Sequence, residues 1–223
     1  MRSLPGAKHK RFLGKRFLIV IGRPIPRVSC SESADLRLAQ GFGMLTEPMR
    51  NFVRELDRLH REAADPQARA ERVSERLRSL LAADDVLDPR HTEPDPRAYR
   101  QHLVHVDAQG RFSVVALVWL PGQETPIHSH VCWCVVGVLT GLEAETRYQL
   151  DPVTGELAET ERAINMPGDV CWLVPPDEDI HKVRNDGQSI AVSLHVYGTD
   201  IGRLGSSINR TYREPIPVAS SKA

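Results

Sequence analysis

"TPIHSHVCWCVVGVLTG", residues 125–141, sets His128, His130, Cys132 and Cys134 at every second position. In an extended strand, residues so spaced all point to one side. Such a row suits a zinc site, a redox pair, an iron enzyme, or a packed core that happens to be polar. The sequence on either side narrows the choice.

Downstream of residue 99 the chain is a series of short β-rich runs: "HLVHVD", "FSVVALVWL", "HVCWCVVGVL", "EAETRYQL", "LAETERAIN", "DVCWLVP", "HKVRND" and "SIAVSLHVYG". Turn signals separate them, among them "DAQG", "PGQETP", "LTG", "DPVTGE", "MPG" and "NDGQ". This spacing predicts a sandwich or barrel of about eight strands. Upstream, "TEPMRNFVRELDRLHREAA" reads as a helix, with Thr46 as cap and Phe52, Val53, Leu56 and Leu59 as its apolar stripe. Asp65-Pro66 reads as a second cap and first turn. That helix runs to about Ala83, with Val73, Leu77, Leu80 and Leu81 on one face. The expectation is a mainly β fold with two or so N-terminal helices: helices over 46–83 and a barrel over 99–200, within a domain of residues 44–213.

The flanks differ in character. Residues 1–27 carry eight Lys or Arg and no acid, and the texture changes sharply at "GMLTEP". Residues 1–43 therefore read as a basic segment, disordered or upstream of a true start near Met44. Residues 214–223, "EPIPVASSKA", read as a disordered tail.

Composition excludes several classes. Lys plus Arg and Asp plus Glu are both 29, so the balanced charge makes no case for nucleic acid or an anionic membrane. No apolar run approaches the roughly 20 residues of a membrane helix. The four cysteines, Cys30, Cys132, Cys134 and Cys171, form no disulfide framework, so a cytoplasmic setting is expected. Cys132 and Cys134 as same-face neighbours on one strand sit too far apart to bridge well.

Two imidazoles two residues apart on a strand can bind one metal from the same face. A third ligand must come from another strand, and His181 in "PPDEDIHKVRND" is the candidate. Three imidazoles leave positions open, as a catalytic rather than structural site requires. Cys132 and Cys171 read as filler, His102 and His105 as incidental, and Trp119, Trp133 and Trp172 as barrel packing, with one of them a candidate pocket wall.

Gly122, five residues, His128, one residue, His130, then ten residues to Gly141 resembles the first cupin motif. Gly168, Pro176, His181 and Asn185 resemble the second, with Glu178 where a glycine is usual. Where typical cupins carry a glutamate four residues after the second histidine, this chain has Cys134. A three-histidine cupin without that carboxylate resembles the cysteine dioxygenase family of thiol dioxygenases, over roughly residues 50–212. The resemblance implies one Fe(II) per chain on His128, His130 and His181. It implies a Ser193, His195, Tyr197 array, two residues apart on one strand, and a thioether between Cys134 and Tyr197. It implies substrate contacts at Gln101 and Tyr99, where glutamine in place of arginine resembles the 3-mercaptopropionate type. Because Gln101 carries no charge, Arg203 in "GTDIGRLG" is the candidate to neutralise a carboxylate. The implied reaction adds both atoms of dioxygen to the sulfur of a small thiol carboxylic acid, L-cysteine or 3-mercaptopropionate. No nucleic-acid or membrane partner is implied, and a monomer or small homo-oligomer is expected.

Two other functions compete with it. One is another metal-dependent cupin enzyme, since spacing does not choose the metal. The other is a non-catalytic sensor for a small acid, against which the Ser193, His195, Tyr197 array argues. A zinc-finger-like site is disfavoured, because Cys-x-Cys within a strand lacks the turn that wraps a tetrahedral ion.

Overall fold

The computed structural model describes residues 45–62, 65–176 and 179–214. The readings of residues 1–43 as a basic segment and of the tail beyond Glu214 lie outside the described residues, as does Glu178 of the second motif. No helix among the described residues is long and apolar enough to cross a membrane.

Two helices come first, α1 (Glu47–Glu62) and α2 (Pro66–Leu81). The Thr46 hydroxyl accepts the Met49 N–H at 3.3 Å and donates to the Val86 carbonyl at 2.8 Å, fixing the start of α1 to the loop after α2. Asp65 caps α2 by accepting the Ala68 N–H at 2.7 Å, and Pro66 follows where its missing N–H costs nothing. Met49, Phe52, Leu56 and Leu59 of α1 and Val73, Leu77 and Leu80 of α2 are buried, while Val53 is only partly so.

Ten strands follow, arranged as two five-stranded antiparallel sheets: β1 (Arg100–Val106), β2 (Ser113–Trp119), β3 (Ile127–His130), β4 (Cys134–Thr140), β5 (Glu143–Leu150), β6 (Leu157–Asn165), β7 (Val170–Leu173), β8 (Ile180–Arg184), β9 (Ala191–Tyr197) and β10 (Ile208–Tyr212). The first sheet has the order β1-β2-β9-β4-β7 and the second β10-β3-β8-β5-β6. A short helix, α3 (Ile201–Leu204), joins β9 to β10. This is the mainly β, double-stranded β-helix architecture of the cupins, with helices at its N-terminal side.

Two strands exceed the eight runs legible in the sequence. β10 is polar and short, with no alternation to announce it. The other arises because "HVCWCVVGVL" is not one strand. The chain breaks at Val131–Trp133, so His128 and His130 lie on β3 of the second sheet and Cys134 on β4 of the first. The four-residue row therefore does not share one face, and Cys132 sits in the break, half-buried.

The first sheet is covered on both faces, which explains its uninterrupted apolar strands. Val114 and Ala116 of β2 and Leu194 and Val196 of β9 pack outward against α1 and α2. Their neighbours Val115, Leu117 and Trp119, with Tyr197, face inward between the sheets. Trp133 joins the outer cluster beneath the helices, and Trp172 packs against it. Gly141 turns β4 into β5 at φ +79°, and a Cβ there would stand 2.5 Å from the Ala191 backbone, so only glycine fits. Asn185 of the second motif is structural: fully buried, it donates to the carbonyls of Trp119 at 2.9 Å and Ser189 at 2.8 Å.

Candidate metal centre and active site

β3 and β8 pair antiparallel with His128 directly opposite His181, and His130 follows His128 by two residues on β3. Cross-strand pairing and the two-residue repeat thus bring three imidazoles to one point. Their ring centroids form a near-equilateral triangle with sides of 4.7, 4.7 and 4.9 Å, and one nitrogen of each lies within 4.8 Å of the others.

Each ring is held from outside by its Nδ1–H. His128 donates to the Pro126 carbonyl at 2.9 Å, His130 to the Asp179 carbonyl at 3.1 Å, and His181 to the Glu145 carboxylate at 2.9 Å. With Nδ1 spent, Nε2 is the atom each ring turns inward. Burial, reinforced by mutual repulsion of the rings, holds His128 well below the usual imidazole range. Burial lowers His181 too, against the pull of its bond to Glu145. Neutral imidazoles are what a metal requires. The donor set and its outer hydrogen bonds fit a divalent transition metal.

Glu145 on β5 is the outer partner that sequence reasoning missed. It is 3% exposed, yet burial does not neutralise it. Burial raises its pKa, but the His181 hydrogen bond and the charges near it, with Arg147 at 3.2 Å, outweigh that and bring it to about 2. Asp179 is the second: its carboxylate accepts the His130 backbone N–H at 2.6 Å. The only signal in the sequence is that Glu145 occupies an inward position of the alternation in "EAETRY", which cannot be separated from an ordinary edge-strand acid without the pairing.

The opposite wall belongs to the first sheet. Ser193, His195 and Tyr197 share the inner face of β9 and are all buried. Ser193 Oγ lies 3.0 Å from His195 Nε2, and the Tyr197 hydroxyl lies 3.2 Å from His195 Nδ1. Burial, then the nearby His181 and His130, lower His195 to about 3, so it is neutral. Burial pushes the Tyr197 phenol well above its usual range, so it keeps its proton. Cys134 is its cross-strand neighbour on β4, with Sγ 3.9 Å from His195 Nδ1. Its thiol is likewise raised well above the usual range, chiefly by burial.

Between the walls is a small cavity of about 30 Å³. It is lined by His128, His130 and His181 from the second sheet and by His195 and Tyr197 from the first. Tyr99 and Gln101 line it as well, and Tyr99 stacks on Trp119 at 4.5 Å. Trp119 is thus the tryptophan that walls the pocket. Thr125, Ser206 and Ser207, missed in the sequence, add hydroxyls. Arg203 is not brought here. It lies exposed on α3, and no Lys or Arg is among the described residues lining the cavity. Its place in the sequence is only six residues beyond Tyr197, but the helix turns it to solvent. His102 bonds the Glu93 carbonyl at 2.8 Å, away from the cavity. A larger groove of about 830 Å³ lies along the second sheet and β10 and reaches the centre only at His130.

A family model described as cysteine dioxygenase type I matches residues 50–203. The chain belongs to the cysteine dioxygenase type I family. Similar solved structures include the TT1209 protein of Thermus thermophilus, 24% identical over 52% of this chain and 97% of its own, with a TM-score of 0.38. A double-stranded β-helix domain protein of Klebsiella pneumoniae subsp. pneumoniae MGH 78578 is 18% identical over 53% and 92%, at 0.39. A cupin superfamily protein of Desulfitobacterium hafniense DCB-2 is 14% identical over 56% and 88%, at 0.37. For a cysteine dioxygenase family member the three-histidine centre is the metal-binding site of a metal-dependent thiol dioxygenase.

Proposed function

We propose that this protein is an iron(II)-dependent thiol dioxygenase acting on a small thiol carboxylic acid, L-cysteine or 3-mercaptopropionate. The observation that carries this reading is the facing of two sets across one cavity, three imidazoles on one wall and the protonated Tyr197 phenol on the other.

The overall change is R–SH plus O2 to R–SO2H. Both oxygen atoms end on sulfur, sulfur gives up the electrons that dioxygen gains, and the thiol proton ends on the sulfinate. His128, His130 and His181 would hold the iron(II), which when bound would supply a dication that favours thiolate over thiol and the redox chemistry that dioxygen requires.

The chain's own residues do the rest. Glu145 and the carbonyls of Pro126 and Asp179 fix the ring planes, so the seat is preorganised. Tyr197, held by His195, offers a hydroxyl donor into a space that Leu117, Trp119, Val136 and Val183 keep dry. A preorganised donor in such a space stabilises developing negative charge far more than the same group in water. The substrate carboxylate would meet neutral donors, Tyr99, Gln101 and the serine hydroxyls, since Arg203 is outside.

The test is oxygen uptake by anaerobically purified, iron(II)-loaded protein, with L-cysteine and 3-mercaptopropionate compared and sulfinate identified by mass. Uptake matched by sulfinate supports the reading, and the preferred thiol assigns the role of Gln101. Full iron occupancy with no uptake from either thiol overturns it.

A further inference from the structure

Arg147 has no place in this scheme, yet it touches the support of the metal centre. It lies on β5, directly opposite His181 of β8 and Glu161 of β6. Its Nε stands 3.2 Å from Glu145 Oε1, the same oxygen that accepts the His181 Nδ1–H at 2.9 Å. The other oxygen, Oε2, accepts from Asn165 Nδ2 at 3.3 Å and has Cys171 Sγ at 3.8 Å. One carboxylate oxygen is therefore shared between a metal-binding ring and a guanidinium. Arg147 is also the one Lys or Arg among the described residues that line the large groove. Glu161, its second carboxylate, lies 4.0 Å away and lines the same groove.

We propose that Arg147 is a positioning residue of the metal centre, acting through Glu145. It draws the charge of the shared oxygen toward itself and limits the pull of that oxygen on the His181 Nδ1–H. His181 is thereby kept a neutral donor of moderate strength to a divalent metal.

The direction follows from the charges. A carboxylate behind a ligating imidazole raises the basicity of the ring, because Nδ1–H is drawn toward the acceptor. With a dication on Nε2, an uncompensated carboxylate draws that proton further, and the ring gains imidazolate character. A guanidinium on the same oxygen opposes this. It takes up part of the negative charge and keeps its own protons at any ordinary pH. The Glu145 side chain is 3% exposed and that of Arg147 24%, so the pair is screened much less than ions at the surface. Glu161 pulls on Arg147 from the other side, but it is 64% exposed and farther off, so Glu145 keeps the larger share. Removing the guanidinium should make His181 a stronger donor. A dication is then held more tightly, and trivalent iron is stabilised relative to divalent iron.

His181 is the ring on which such a charge acts. His128 and His130 give their Nδ1–H to neutral carbonyls, and His181 alone gives it to a carboxylate. Arg147 faces the groove on its far side, so replacing it removes little packing. The inference rests on the metal centre and not on the thiol reaction.

The experiment uses the full-length chain loaded anaerobically with iron(II). Affinity is read by competition with a chelator, and the iron(III)/iron(II) midpoint potential by redox titration. Arg147→Gln should bind iron(II) about tenfold more tightly and show a lower potential. Arg147→Lys, which keeps the charge, should return both toward wild type. In a Glu145→Gln background, Arg147→Gln should move neither quantity, because the shared oxygen no longer carries charge. Unchanged or weaker binding in Arg147→Gln overturns the proposal. So does a lysine variant that behaves like the glutamine one, or the same shift with Glu145 already replaced. If the Arg147 variants fail to fold, the exposed Glu161→Gln decides. It frees Arg147 for Glu145, so it should weaken iron(II) binding and raise the potential, and no movement in either overturns the proposal. Iron-loaded wild type that takes up no oxygen with thiol would overturn the functional reading and leave affinity and potential to decide this one.

Discussion

Cys134 and Tyr197 are directly opposed across the β4–β9 pair, and both side chains are buried on its inner face. The register, not proximity along the chain, joins a thiol to the phenol that faces the metal centre. Side chains of directly opposed residues lie close enough to react, their Cβ atoms about 4.5–5.5 Å apart. With iron(II) and dioxygen present, a thioether between Cys134 Sγ and the Tyr197 ring is expected. The S–H and one ring C–H are lost, and dioxygen takes the two electrons. Intact mass after full reduction should fall by two hydrogens in aerobically turned-over protein. Cys134→Ala should show no such loss, and an unchanged wild-type mass after turnover would exclude the linkage.

Removing any one of His128, His130 and His181 should abolish stoichiometric iron binding, because the remaining two rings leave the seat bidentate. Glu145→Gln keeps the shape but weakens the grip on His181. Metal affinity should fall ~10–100-fold. Competition with a chelator, read by metal analysis, measures this without reference to turnover.

Tyr197→Phe removes the hydroxyl aimed at the cavity and leaves the ring in place. Turnover should drop on the order of 10²-fold while iron content stays at the wild-type level. Equal turnover in the variant would count heavily against the mechanism.

The Asp107 carboxylate is held down to about 2 by Arg111, whose guanidinium also reaches Asp57 of α1 at 2.6 Å. This ties the first helix to the turn between β1 and β2. The group's unfolded value is near 3.8, so its stabilisation is fully present above that pH and is lost as pH falls through about 2. Asp107→Asn should cost about 1–2 kcal/mol in urea unfolding near neutral pH. The difference should close as pH approaches the lower value. A penalty that persists in strong acid would assign the effect to packing instead.

Much of the fold was open to reading in the sequence. Helical spacing in "MRNFVRELDRL" and the Asp65-Pro66 cap depend on local geometry, and both helices sit where that geometry puts them. Alternation and turns marked eight of the ten strands. β10 was hidden because a short polar edge strand has no apolar face. The break at Val131–Trp133 was hidden because Cys and Trp continue the β-like texture, while the turn is imposed by pairing into two different sheets.

The site divides along the same line. His128 and His130 were readable because a two-residue spacing is a property of one strand, as it is for Ser193, His195 and Tyr197. Arg203 was not, because α3 turns its side chain to solvent rather than toward the cavity. Glu145 and Asp179 were equally out of reach. A period of two reports the face a side chain takes on its own strand. It says nothing of which strand lies opposite. The sequence by itself put His128 and His130 on one strand face, offered His181 as their partner, and set Ser193, His195 and Tyr197 on one face of another strand. Only the tertiary structure decided that they stand on opposite walls of one cavity, that strand register sets Cys134 directly opposite Tyr197, and which acids support the histidines. Those relations come from long-range strand pairing, whose free energy is spread over both sheets and leaves no local mark in the chain.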